Sequence, residues 1–342
     1  MRREPGRLNR HRRAFAAVAA AVALTLDVAG CGSDDEKSDA AKPAAASAQA
    51  SGGGSNTAAT FPRTVTHDKG TTEIKAKPKR VVALDNSLVE AVALLDEPLV
   101  GGISAYRDQK GFPSYLGPAV KDTKEVGPLD SPNLEQILAL KPDLIVSATV
   151  RHDQLYGQLS KIAPTVFVKT TGPIWKDNIK LIAQALGDED KAAAKLSAYE
   201  ARAKKIGTAV NAKANNPTVS VVRFVDGPTR IYLPKTFSGI VLADAGIARP
   251  ENQRDPEKFN IEISEEQIGL ADADYVFVTA FSGGADRKAK FLANPLWQRL
   301  KAVQGRHVVE VEDPIWMTSV SLQGAEMILD DLAKAFAVDP AK

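Results

Sequence analysis

From residue 80 onward, short β-branched runs alternate with stretches whose apolar residues recur at helical spacing. Arg80-Val81-Val82-Ala83-Leu84 reads as a strand, Asp85-Asn86-Ser87 as a helix cap, and 88–95 as the helix it starts. A strand follows at 100–103, Asn133 caps a helix over 134–140, and 143–148 is apolar on both faces. A helix over 153–162 and a strand at 166–168 complete this series. Strands of continuous apolar character separated by helices predict a mainly parallel sheet covered on both sides.

Two amphipathic stretches come next, 175–186 and 190–213, divided by Gly187-Asp188. The second is unusually long for a small α/β lobe, and alternation resumes only after Asn215-Asn216-Pro217, so it reads as a rigid connector. Strands are then expected at 218–225, 275–279 and 307–311, and helices at 238–245, 265–270 and 321–337. The halves also share a phrase. Glu135-Gln136-Ile137 runs to Asp143 and a strand, and Glu266-Gln267-Ile268 runs to Asp274 and a strand, with every matched position offset by 131. Two similar lobes, 61–172 and 217–342, joined by connector helices at 173–216, are the simplest explanation, and a groove between such lobes suits a guest molecule.

The N-terminus has a different character. Six arginines precede an apolar stretch from Ala14 to Leu26, too short for a permanent span, so 1–31 reads as an export signal. It ends at Val28-Ala29-Gly30-Cys31, which resembles a bacterial lipobox and makes Cys31 the expected site of lipidation; an ordinary cleaved signal is the alternative. Cys31 is the sole cysteine, leaving none for disulfides or thiol catalysis. Residues 32–60, rich in Ser, Ala, Gly and Asp, are expected to form a disordered tether with a reach of about 30 Å. The location implied is extracytoplasmic, on the outer face of the cell membrane. Residues 1–30 hold six Arg against Glu4 and Asp27, so their removal takes the formal charge from +2 to −2. Nucleic-acid binding thereby loses its electrostatic motive.

In parallel sheets, ligands meet the loops beyond the carboxyl ends of the strands. Those loops hold Tyr106 and Arg107, Arg151 and His152, and Trp175 in the first half, with Arg223, Tyr232, Phe237, Phe281 and Trp316 in the second. Guanidinium forks bind oxygen pairs and rings cover flat surfaces, so the set suits a bulky, oxygen-rich ligand better than catalysis. Arg223 lies on an apolar strand and needs a partner; a bound oxygen ligand is the favoured one and an internal carboxylate the alternative. Trp297 is expected to pack a helix start. Glu135 and Glu266, matched on two lobes, suit docking onto a two-subunit partner, although inherited helix-capping chemistry would also conserve them through a duplication, and Glu265 competes for the second position. Phosphate-loop, dinucleotide, zinc-protease and nucleophile-elbow motifs do not occur. His67, His152 and His307 read as solvated or structural rather than metal-binding, and no cofactor is implied.

At this point the chain resembles the bacterial substrate-binding proteins of iron-siderophore, haem and cobalamin ABC importers. The resemblance covers nearly everything after residue 61 and is firmest from Asn133-Leu134-Glu135-Gln136-Ile137 through Leu140-Lys141-Pro142-Asp143-Leu144-Ile145. Arg80-Val81-Val82-Ala83, Asn294-Pro295-Leu296-Trp297 and Asp330-Asp331-Leu332 support it. It implies an α/β fold of two Rossmann-like lobes on a single long connector helix, similar to class III periplasmic binding proteins. It also implies a monomeric, non-enzymatic carrier that docks on arginines of a permease dimer, served by its ATPase, through one glutamate per lobe; by position these are Glu135 and Glu266. A ferric siderophore is the implied ligand, hydroxamates first because their iron complexes carry little charge, whereas a cluster of Arg and Lys in the cleft would favour catecholates. Haem and cobalamin remain alternatives within the family, and an extracytoplasmic metal-binding protein or enzyme outside it. Some hydroxamate binders carry an arginine just before the Asn-Leu-Glu phrase, where this chain has Leu129-Asp130-Ser131-Pro132.

Overall fold

The computed structural model describes residues 60–104, 106 and 110–342. The export signal, Cys31, nearly all of the tether and Arg107 lie outside the described residues. A hairpin of β1 (Arg63–His67) and β2 (Gly70–Ile74) precedes the first lobe. That lobe is built from β3 (Val81–Ala83), α1 (Asn86–Leu94), β4 (Leu99–Gly102), β5 (Lys124–Glu125), α2 (Leu134–Ala139), β6 (Leu144–Ala148), α3 (Thr149–His152), α4 (Tyr156–Ile162) and β7 (Thr165–Val168). Its sheet runs β5-β4-β3-β6-β7 and every pairing is parallel. Central strands β3 and β6 are buried at every position, which is why they read as continuous apolar runs.

Helix α5 (Trp175–Leu186) ends at Gly187, whose left-handed backbone closes the turn into α6 (Glu189–Ala214). With 26 residues, α6 is about 39 Å long and buries a stripe of Ala192, Leu196, Tyr199, Ala203, Ile206 and Val210. Gly207 lies in that stripe because a Cβ there would collide with the Ala245 carbonyl. Asn215, also left-handed, ends the helix before Pro217.

The second lobe comprises β8 (Val219–Phe224), β9 (Thr229–Tyr232), α7 (Phe237–Asp244), β10 (Asn260–Ile263), β11 (Tyr275–Ala280), α8 (Gly284–Ala293), α9 (Lys301–Gln304), β12 (Val308–Glu310) and α10 (Leu322–Ala335). Its order, β10-β9-β8-β11-β12, repeats that of the first lobe strand for strand. This sheet departs from the all-parallel first one at a single strand, because β9 runs antiparallel to both β8 and β10. Neither β9 nor β10 was expected from the sequence: each is only four residues long, and β10 is buried at Ile263 alone, which gives a weaker signal than a long doubly buried run. The stretch expected as one helix over 153–162 is also broken: a helical turn starts at Thr149, directly after β6, and a 3-10 turn separates it from α4.

The repeated phrase has a structural basis. Asp143 accepts the backbone N–H groups of Lys79 and Arg80, and Asp274 accepts that of Thr218, all at 2.8 Å, so each carboxylate anchors the chain entering the central strand of its sheet. Asn133 caps α2, Ser264 and Gln267 form a capping box on the 3-10 turn Glu265–Ala271, and Ile137 and Ile268 are the buried residues beneath. Among the described residues, no helix is long and apolar enough to cross a membrane.

Candidate functional site

A cavity of about 640 Å³ opens between the lobes at the carboxyl ends of the strands, within the size range of small-molecule sites. Its N-terminal wall begins where β3 gives way to α1. Asp85 caps that helix, accepting the Ser87 N–H at 2.9 Å with one carboxylate oxygen, and its other oxygen accepts Arg151 Nε at 3.0 Å. Arg151 reaches the cleft because α3 begins at once after β6. Burial opposes its charge, but Asp85 more than offsets this and the guanidinium pKa lies above its ordinary value. The Arg151 guanidinium carbon lies 5.8 Å from the ring centre of Tyr106.

From the C-terminal lobe comes Arg223, near the end of β8 and buried. It donates to both carboxylate oxygens of Asp313, at 2.7 and 2.6 Å, and to the Tyr232 hydroxyl at 2.9 Å. The favoured reading of a ligand as the partner of this charge is therefore corrected, since the chain supplies a bidentate carboxylate. Three of the five guanidinium N–H groups are so engaged, and the other two have no acceptor among the described residues. Phe281 covers the guanidinium, 4.8 Å from its carbon, and meets Tyr106 across the cleft with ring centres 6.2 Å apart. Further out, Arg230 donates to Glu262 at 3.2 Å across the β9–β10 pair, and half-exposed Phe259 packs edge-on against Tyr232.

The fold thus brings five of the expected ligand residues to one cavity: Tyr106, Arg151, Arg223, Tyr232 and Phe281. Three others lie elsewhere, and the expectation is corrected for each. Trp175 is buried at the head of α5 with its ring centre 5.6 Å from Tyr199 and 5.8 Å from Phe237, so Trp175 and Phe237 form an aromatic cluster joining α5, α6 and α7. Trp316 is fully buried, stacked on Phe277 at 4.7 Å, and donates its indole N–H to Asp331 at 2.8 Å. Its neighbours Met317, Thr318 and Val320 line the cleft instead. Trp297 packs on Phe291 in the core.

Arg230, Asp226 and Asn86 were missed as cleft residues. A partial signal existed for the first: Asn260-Ile261-Glu262-Ile263 alternates with period 2, and the opposite charges of Glu262 and Arg230 fall in register. Among the described residues the charge balance differs from an anion trap: each cleft arginine has its own carboxylate, Asp85, Asp313 or Glu262, while Asp226 adds a further acid and no lysine lines the cavity.

His152, the histidine nearest the cleft in sequence, is buried outside the lining. Its Nε2 faces the Leu129 carbonyl at 2.6 Å and so carries the proton, leaving Nδ1 to accept from Ser147 at 2.8 Å. Burial lowers its pKa and keeps it neutral. No cluster of three or more His, Cys, Asp or Glu positioned for a metal occurs among the described residues. Glu135 and Glu266 are both exposed, in the first turn of their respective helices, and a hydrogen bond from Ser264 holds the Glu266 carboxyl below its usual pKa.

A family model described as periplasmic binding protein matches residues 81–314. A Bacillus subtilis protein, YfiY, described as a probable siderophore-binding lipoprotein, is 36% identical over 295 residues, covering 82% of this chain and 90% of its own. YfmC of the same organism, an Fe(3+)-citrate-binding protein, is 29% identical over 82% of this chain and 88% of its own. The crystal structure of Staphylococcus aureus SirA complexed with staphyloferrin B superposes with a TM-score of 0.74 at 33% identity, covering 81% of this chain and 99% of that one. The two Bacillus proteins are described by what they bind, and SirA was solved with staphyloferrin B bound.

Proposed function

Because this chain belongs to the periplasmic binding protein family, we propose that it is the extracytoplasmic receptor of an ABC importer, anchored through a lipid on Cys31. It captures a ferric siderophore between its lobes and presents Glu135 and Glu266 to the two arginine-bearing subunits of a permease driven by its ATPase. The observation that carries this reading is the cavity in which Arg151 and Tyr106 of one lobe face Arg223 and Phe281 of the other. Guanidinium N–H groups suit the oxygens of an iron chelate, and the rings suit its flat organic periphery. Iron enters only as part of the cargo.

Hydroxamate chelates remain the first choice within that class. Among the described residues three arginines converge, but each arrives with a carboxylate, so they offer hydrogen-bond donors without the uncompensated positive charge that a trianionic catecholate complex requires. A ferric hydroxycarboxylate is the second reading, supported by the similarity to YfmC, an Fe(3+)-citrate-binding protein. Titration of intrinsic fluorescence with ferric hydroxamate, citrate and catecholate complexes, each beside its iron-free form, tests the proposal. Saturable quenching by ferric hydroxamate or ferric citrate is expected. Stabilisation by zinc with no response to any ferric complex would overturn it in favour of a metal-binding protein.

A further inference from the structure

Beside the cleft, a carboxyl group that takes no part in the ligand site joins the two lobes. Glu90 lies on α1, one turn beyond the cleft residues Asn86 and Ser87, and is 1% exposed. Its Oε2 meets the hydroxyls of Ser319, at 2.7 Å, and Ser321, both from the C-terminal lobe. Its Oε1 accepts the Tyr115 hydroxyl at 2.9 Å. The same face of α1 makes two more crossings: Asn86 Nδ2 donates to the Thr318 carbonyl at 2.6 Å, and Gln323 Nε2 donates to the Glu90 carbonyl at 2.8 Å.

The proton count at this junction is decisive. Ser319 Oγ and Ser321 Oγ also lie 2.8 Å apart, so Glu90 Oε2 and the two hydroxyl oxygens form a triangle with a hydrogen bond on each side. Three bonds need three protons, and the serines supply two. Only a protonated Glu90 supplies the third; with an ionised carboxylate, one pair of oxygens would face each other bare in a buried site. Tyr115 is a donor throughout, because burial and the neighbouring carboxyl push its pKa upward.

We infer that Glu90 is a positioning residue held as a neutral carboxylic acid, closing a ring of hydroxyls that bolts the N-terminal lobe to the C-terminal lobe beside the cleft. The environment agrees with this state. Burial, reinforced by the charge of Asp85 at the head of α1, outweighs the three hydroxyl contacts and pushes the carboxyl up to about 8. Asp85 and Tyr115 are the titratable groups that face it. Backbone strain marks the same place: Val320, between the two ring serines, has φ of +48°, a left-handed conformation that a β-branched side chain rarely adopts, and it lines the cleft. Ser319 itself packs against the bare Cα of Gly324, where a Cβ would fall 2.1 Å from its hydroxyl oxygen. The ring therefore fixes Thr318 and Val320 of one wall against Asn86 of the other, and its proton controls how firmly they are held.

The test uses the ligand-free protein, so it stands or falls separately from the identity of the cargo. Infrared difference spectra of wild type minus Glu90→Gln should show the carbonyl band of a protonated carboxyl at about pH 6, fading as pH rises through about 8. Amide hydrogen exchange in 86–94 and 318–323, compared between variants at equal pH, reads the bolt itself. Glu90→Ala and the double variant Ser319→Ala/Ser321→Ala should exchange roughly tenfold faster than wild type at about pH 6. Glu90→Gln, whose amide still donates, should match wild type there and exchange more slowly than wild type at about pH 9. Absence of the carboxyl band at about pH 6, or wild-type exchange in Glu90→Ala, would overturn the inference.

Discussion

Replacing Asp313 by asparagine isolates the role of charge compensation in the cleft. The substitution keeps the size of the side chain and one acceptor oxygen but removes the charge that faces Arg223 at 2.7 and 2.6 Å. Arg223 is 9% exposed, so its guanidinium is left largely without compensation. Breaking a buried pair from one side costs about 3–5 kcal/mol, and the retained oxygen together with water entering from the cleft places the expected loss at the lower end, about 3 kcal/mol. Ligand preference should shift in the opposite direction. One uncompensated positive charge about 6 Å from a ligand charge is worth about 3 kcal/mol at an effective dielectric of about 20, and salt with the open mouth reduces that to roughly a tenfold gain in affinity. Urea unfolding measures the first quantity, and fluorescence titration at two ionic strengths the second. A ferric citrate complex should bind the variant about tenfold tighter at low salt, while a neutral ferric hydroxamate should bind within about twofold of wild type. Unchanged stability, or an equal change for both ligands, would refute the assignment of Asp313 as the charge that offsets Arg223.

Alanine at Glu135 and Glu266 together should abolish uptake in cells while leaving ligand affinity unchanged, since both side chains are exposed and neither lines the cavity; transport assays beside titrations of the purified protein check this. Cys31→Ala should move the protein from the membrane fraction to the medium, as fractionation followed by immunoblotting would show. Asp274→Ala should lower stability by about 1 kcal/mol at neutral pH, a figure discounted because the carboxylate is partly solvated. Burial opposes ionisation there, but Lys301 and Thr218 outweigh it and hold the pKa at about 2. With the folded value below the unfolded one, this contribution is full above the ordinary aspartate range and lost as pH falls through about 2, so unfolding curves of variant and wild type should converge in acid.

The sheet centres and the connector were legible because their burial is one-dimensional. Residues 144–148 are buried on both faces and 189–214 carry one apolar stripe, patterns that local sequence displays directly. The repeated phrase was legible for a related reason: capping by Asn133 and Ser264, and anchoring by Asp143 and Asp274, are tasks within each lobe that duplication would preserve. The cleft was harder to read. Whether an aromatic side chain beyond a strand meets ligand or core depends on which helix lies opposite, and Trp175, Phe237 and Trp316 each found a core partner from a remote segment. The same holds for charge. Arg223 and Asp313 are 90 residues apart, and only the folded sheet, which places β12 one strand beyond β8's neighbour β11, brings them together. Glu90 gave no signal at all, because a glutamate among apolar helix residues looks the same whether it faces water or a ring of serines.

If a ferric chelate sits between the lobes against both sets of arginine and aromatic side chains, anomalous diffraction at the iron edge will locate it there in crystals grown with a ferric hydroxamate or ferric citrate. The expected map places one iron in the cavity bounded by Tyr106, Arg151, Arg223 and Phe281. Iron bound elsewhere on the molecule, or a cleft without iron in crystals of protein that binds the chelate in solution, would contradict the account.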